Sequence, residues 1–183
     1  MAAVVPETPE SAASSLATAS GLPATGTIRF TAAKITKSHA GSFADHTSTL
    51  RLDGETLAGV AAEVRVASVA TDSPKLDKHL RGPDFFDTDT FPTATFQSAE
   101  IRVGAPADAT MAGATHTVSG DLSLHGVTRR LNLPAVVSVT PTTVTASTEF
   151  TINRQDFGVA YPGKPDDLIR DDVVLAIHLT ASR

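Results

Sequence analysis

Apolar and polar residues alternate with a period of two in one short segment after another, and this pattern narrows the folds open to the chain more than any other feature. Over 59–70, Val60, Ala62, Val64 and Val66 fall on one face and Glu63 and Arg65 on the other, which suits a strand with one wet side. The same spacing places Ile28, Phe30 and Ala32 together in 26–36, and Val118, Gly120, Leu122 and Leu124 together in 114–125. It continues with Leu131, Leu133, Ala135, Val137 and Val139 in 128–140, then Val144, Ala146, Thr148, Phe150 and Ile152 in 143–153. Segments 43–52, 93–103 and 172–181 complete eight predicted strands, and Asp53-Gly54 marks a turn after the second. Abundant Thr and Val agree with an all-β chain, and no internal repeat period is present.

One segment departs from the pattern. Ser73 followed by Pro74 supplies an N-cap and a first helical residue, Leu76 and Leu80 stand four apart, and Gly82-Pro83 ends the run, so a two-turn helix is predicted over about 74–81. Residues 154–171, with two prolines, two glycines and a charge cluster, read as a long covering loop. Residues 1–24 are almost wholly Ala, Ser, Thr, Pro and Glu, and carry neither a basic n-region nor an apolar h-region. They read as a disordered leader or linker and not as an intact signal peptide, with the folded domain over 25–183. Eight sequential antiparallel strands are best relieved of exposed edges by closing on themselves, so the expected fold is an eight-stranded antiparallel β-barrel with one short helix. A barrel of that size holds either packed side chains or one small ligand. Ala62, Gly120, Ala135, Ala146 and Ala176 fall near mid-strand, which would leave an apolar hollow if they point inward, or pack against a bulky layer opposite.

Charge and chemistry remove other functions. With 15 basic against 20 acidic residues the chain offers no basic stripe for nucleic acid and no polybasic patch for a membrane surface. The absence of cysteine removes disulfides, thiolate metal sites and a cysteine nucleophile. No window is long and apolar enough to span a bilayer. His39, His46, His116, His125 and His178 lack compact ligand spacing, and Asp166-Asp167 and Asp171-Asp172 lie outside any calcium-loop pattern, so no metal is expected. Neither a G-x-S-x-G elbow, a phosphate loop nor a carboxylate pair is present; no catalytic residue is assigned and the chain is not read as an enzyme.

Three stretches, in order, carry a resemblance: KHLRGPDFFDTDTFPTATF (78–96), GDLSLHGVTRRLNL (120–133) and FTINRQDFGV (150–159). Together they resemble the YceI-like family of lipid- and polyisoprenoid-binding proteins, over roughly residues 26 to 181. The resemblance implies a lipocalin-like barrel whose long apolar cavity encloses an isoprenoid or similar tail, in a periplasmic or secreted setting. It implies no cofactor beyond a bound polyisoprenoid, quinone or fatty-chain ligand; a homodimer is compatible with it. The residues expected to contact such a ligand are Phe30, Phe43, Val64, Val66, Leu76, Leu80, Phe85, Phe86, Phe96, Leu122, Leu124, Phe150, Ile152, Arg154 and Phe157. The cluster Phe85, Phe86, Phe91 and Phe96 would form a lid and upper wall, or only plug one barrel end. Arg154 with Asp156 would hold a polar head or form an ion pair that fixes the loop, and His79 with Asp84 would meet a head group or cap the helix end. The alternatives to a lipid carrier are a structural or interaction barrel with a filled core, and a barrel enzyme acting on a small apolar substrate.

Overall fold

A computed structural model describes residues 21–183. The chain runs β1 (Leu22–Lys34), β2 (Ser38–Phe43), β3 (His46–Asp53), β4 (Thr56–Arg65), a 3-10 turn (Val66–Ser68), β5 (Val69–Thr71), α1 (Pro74–Arg81), β6 (Thr93–Val103), β7 (His116–Leu124), β8 (Val127–Val139), β9 (Thr143–Asn153), a second 3-10 turn (Arg154–Phe157), β10 (Gly163–Lys164) and β11 (Asp167–Ser182). The pairing is antiparallel throughout, and β11 returns to pair with β1. Two staves are broken in two: β3 then β2 run along successive stretches of β1, while β4 and β5 oppose β3 and β2 in turn. The ring is therefore an eight-stranded closed barrel with one helix, as the alternation requires.

The helix occupies the residues its caps define. Ser73 Oγ accepts from Leu76 N (3.4 Å), Pro74 opens the first turn, and Gly82 N donates back to His79 O (3.0 Å). Asp77 fastens the first turn to β5 by accepting from the Thr71 amide and hydroxyl at 2.7 and 2.6 Å. Between β7 and β8, His125 and Gly126 both take positive φ (53° and 74°), a two-residue turn whose twist matches the flanking strands.

Three expectations change. The leader expected over 1–24 lies, for residues 1–20, outside the described residues; residues 22–24 belong to β1, where Ala24 pairs with both Ser48 and Ala181. The long loop expected over 154–171 is mostly structured: a 3-10 turn, a two-residue hairpin of β10 with β11, and five residues of β11 itself. Ala176 sits opposite Arg29 and Glu149 on the outer face, because the inward set on β11 is the odd one, Val173, Leu175, Ile177 and Leu179.

Side chains pack in three clusters. One end is filled by Leu50, Leu57, Val144, Leu179 and Ala181, each nearly or wholly inaccessible. A mid-barrel group joins Val118, Leu133, Ala135, Phe150, Ile152 and Phe157. The helix end gathers Phe30, Val69, Leu80, Phe85 and Val159.

Candidate functional site

Between the two end clusters the barrel is hollow. An inner-face side chain in a filled core would be fully buried at close-packed density. Here Val60, Ala62 and Val64 on β4, Leu122 and Leu124 on β7, and Val173, Leu175 and Ile177 on β11 are only half-buried, although each points inward. They border one cavity of about 210 Å³. Between Val173 and Leu179 it follows about 20 Å of strand at 3.3 Å per residue. Its wall is apolar apart from Thr95, Ser147, Thr148 and Arg154.

The polar groups at the wall are already engaged. Thr148 Oγ1 donates to Pro134 O at 2.6 Å, and no buried side-chain nitrogen or oxygen among the described residues lacks a partner. Arg154, 6 % exposed, donates four hydrogen bonds and pairs with one carboxylate. Its Nε donates to Arg170 O (3.2 Å), Nη1 to Val159 O (2.7 Å) and Tyr161 O (2.8 Å), and Nη2 to Ile169 O (3.4 Å), while Nη2 also stands 3.1 Å from Asp171 Oδ1 as an ion pair. The register between β1 and β11 slips at Ala32 and Lys34, opposite Val173 and Ile169, and the slip frees carbonyls that the guanidinium then satisfies. Arg154 is thus a staple holding the 154–161 segment to β11, and its acid partner is Asp171, not the expected Asp156.

Most of the remaining expected residues come together. Phe30, Phe43, Val64, Val66, Leu80, Phe85, Phe86, Phe96, Leu122, Leu124, Phe150 and Ile152 all line the cavity. Two do not. Leu76 packs against the helix-end cluster from outside it, one turn before Leu80. Phe157, 1 % exposed, is carried out of strand alternation by the 3-10 turn and fills a gap in the wall. The phenylalanines after α1 divide their work: Phe85 and Phe86 cap the cavity, while Phe91 lies over Gly126 and against His125 (ring centroids 4.6 Å). Phe96 lies over Gly120, where a Cβ would stand 2.6 Å from its Cζ, so glycine makes room for the ring. Sequence reasoning missed Ile28, Ala32, Leu133, Val159, Ile169 and the odd face of β11; the signal for the last was that Val173 to Leu179 stays apolar at every second position up to Ala181.

The mouth under α1 is aromatic and paired. His79 Nε2 meets Asp84 Oδ2 at 3.0 Å, and its ring stands edge-on to Phe85 (4.9 Å) and Tyr161 (5.3 Å), outside the cavity wall. His39 holds Asp72 at 3.0 Å, which keeps that carboxyl below its ordinary range, with Lys37 adding to the effect. Asp167 is held low first by the Thr36 hydroxyl (2.9 Å), with Lys34 contributing. The histidines are scattered on separate partners, and no group of three metal-ligating side chains occurs among the described residues. No helix among them is long and apolar enough to cross a membrane.

Comparison with known proteins places these features. The model of the YceI-like domain matches residues 21–181. A UPF0312 protein of Pseudomonas fluorescens is 39 % identical over 112 residues, covering 55 % of this chain and 53 % of that protein; the chain spans about half the length of the curated relatives it matches. Among solved structures, Burkholderia cenocepacia BcnA superposes with a TM-score of 0.73 at 25 % identity, over 85 % of this chain and 96 % of that one. A polyisoprenoid binding domain from Saccharophagus degradans, implicated in plant cell wall breakdown, gives 0.66 at 18 % identity over 86 % and 93 %, a likeness of fold.

Proposed function

The chain belongs to the YceI-like domain family, and from that premise and the hollow barrel we propose that it binds and carries an amphiphile without transforming it, with an isoprenoid-type or other long apolar tail inside the barrel. The observation that carries this reading is the half-buried inner face: apolar side chains line a space with no free donor, acceptor or charge, which suits a hydrocarbon tail and nothing polar. Each buried CH₂ contributes about 0.8 kcal/mol, so one five-carbon isoprene unit supplies roughly 3 to 4 kcal/mol before ordering costs. A few enclosed units give tight binding. The polyisoprenoid-binding description of the Saccharophagus degradans domain, on the same fold, supports that ligand class. We also propose a periplasmic or extracellular setting.

Calorimetric titration with isoprenoid alcohols of increasing length tests the carrier reading. Affinity rises with length and then levels off once the cavity is full, because only enclosed methylenes contribute. Affinity independent of tail length overturns it, and recovery of chemically altered ligand moves an enzymatic role to first place. Organic extraction of the purified protein followed by mass spectrometry identifies the resident molecule.

A further inference from the structure

The barrel wall has a gap on one side. β8 pairs with β7 along residues 127–135, but its pairing with β9 is confined to 136–139 against 144–147. Beyond the Thr148 hydroxyl bond to Pro134 O, no backbone pair joins the first half of β8 to the second half of β9 among the described residues. Phe157 occupies the gap, fixed by two bonds to its own turn: His125 Nδ1 to Phe157 O (3.1 Å) and Arg129 Nε to Asp156 O (3.2 Å). Outside lies a groove of about 280 Å³ bordered by Arg129, Arg130, Thr151, Asn153, Asp156 and Phe157. Ile152 belongs to the walls of both the groove and the inner cavity, so the two spaces adjoin there, with Leu131 and the Phe157 plug beside it.

The groove differs from the cavity in chemistry. Arg130 is held by Asp121 through two bonds of 2.6 and 3.0 Å, which keeps its guanidinium firmly protonated. Arg129 is exposed and bonds the protein only through Nε among the described residues, leaving both terminal amino groups for an outside acceptor. At the same end of the barrel, Lys34, Lys37 and Arg154 each already face a carboxylate. A guanidinium whose two terminal amino groups form one open edge matches an oxyanion in the two-pronged manner that a carboxylate or phosphate offers. Asp156 borders the same groove and opposes that charge.

We propose that this groove is a polar subsite in which Arg129 holds the oxyanion head of an amphiphile whose tail passes the β8–β9 gap beside Phe157 into the barrel. The proposal rests on the tail-binding reading of the cavity. It is tested by calorimetry at about pH 8, where a carboxylic acid is ionised, with palmitate, hexadecanol and acetate as probes of wild-type protein, Arg129→Gln and Asp156→Asn. Wild type binds palmitate roughly tenfold more tightly than hexadecanol, a margin expected of one charge-assisted contact. Arg129→Gln removes that margin by weakening palmitate binding more than hexadecanol binding, whereas Asp156→Asn widens it. Acetate at millimolar concentration does not displace palmitate. Equal affinities for the two chains in wild type, a margin that survives Arg129→Gln, or displacement by acetate, which would mark a free-anion site, each overturn the subsite. If hexadecanol itself fails to bind, the cavity reading falls instead, so the two failures are distinguishable.

Discussion

At one end of the barrel Leu50, Leu57 and Val144 interlock with Leu179 and Ala181 until almost none of their surface is accessible. At the other end Phe85, Phe86 and Leu80 come from a helix and a following loop laid across the opening, and the second cover, residues 154–161, is held by side-chain bonds from Arg154, His125 and Arg129. The first closure is made by the strands themselves, with side chains whose only role is to fill volume. The second is made by segments outside the ladder, joined to it by hydrogen bonds that open without breaking a strand pair. An end built the first way stabilises the fold; an end built the second way can admit a guest.

The largest effect comes from the filled end. Leu50→Ala costs about 3 to 5 kcal/mol, the range for a large cavity in a packed core, and leaves tail affinity of the folded fraction unchanged; urea unfolding and titration together measure both. Arg154→Met comes next. It strands several carbonyls at the β11 irregularity and costs about 2 to 3 kcal/mol, and amide hydrogen exchange rises first in 154–161. Phe85→Ala costs less stability, about 2 kcal/mol, because one side of the ring already faces empty space, yet it weakens tail retention, read by lipid co-purification. Loss of stability with tail affinity intact would make Phe85 a plug of the same kind as Leu50 and dissolve the contrast.

The smallest effect is electrostatic. The Thr36 hydroxyl and Lys34 hold the Asp167 carboxyl below its ordinary value of 3.8. A carboxyl depressed in the folded state stabilises above that value and loses its contribution as pH falls through and below it. Thr36→Val therefore lowers stability slightly above pH 3.8, and the difference from wild type shrinks as pH falls below that value, as thermal melts across pH will show.

Alternation made much of the wall legible, because it sorts inward from outward residues, and the α1 caps name their own boundaries. The second cover was not legible for a specific reason. Arg154 bonds to the main-chain carbonyls of Val159, Tyr161, Ile169 and Arg170, and which carbonyls a fold leaves open has no mark on residue type. Phe157 was misplaced because a four-residue 3-10 turn resets the alternation that Phe150 and Ile152 obey. Ala176 was misplaced because Val174 beside it makes both faces of β11 look apolar in that stretch. The gap between β8 and β9 was invisible too, since both strands alternate well along their full length and pairing is decided between strands.

The complete engagement of Arg154 and Thr148 also decides how the barrel ranks its guests. With these two groups already spent on the protein and the rest of the lining almost wholly apolar, the interior acts as a small volume of dry alkane. Selectivity there follows partition between water and oil: two tails of equal size are ordered by how poorly water dissolves them, and a hydroxyl introduced mid-tail costs a guest most of what several methylenes gain.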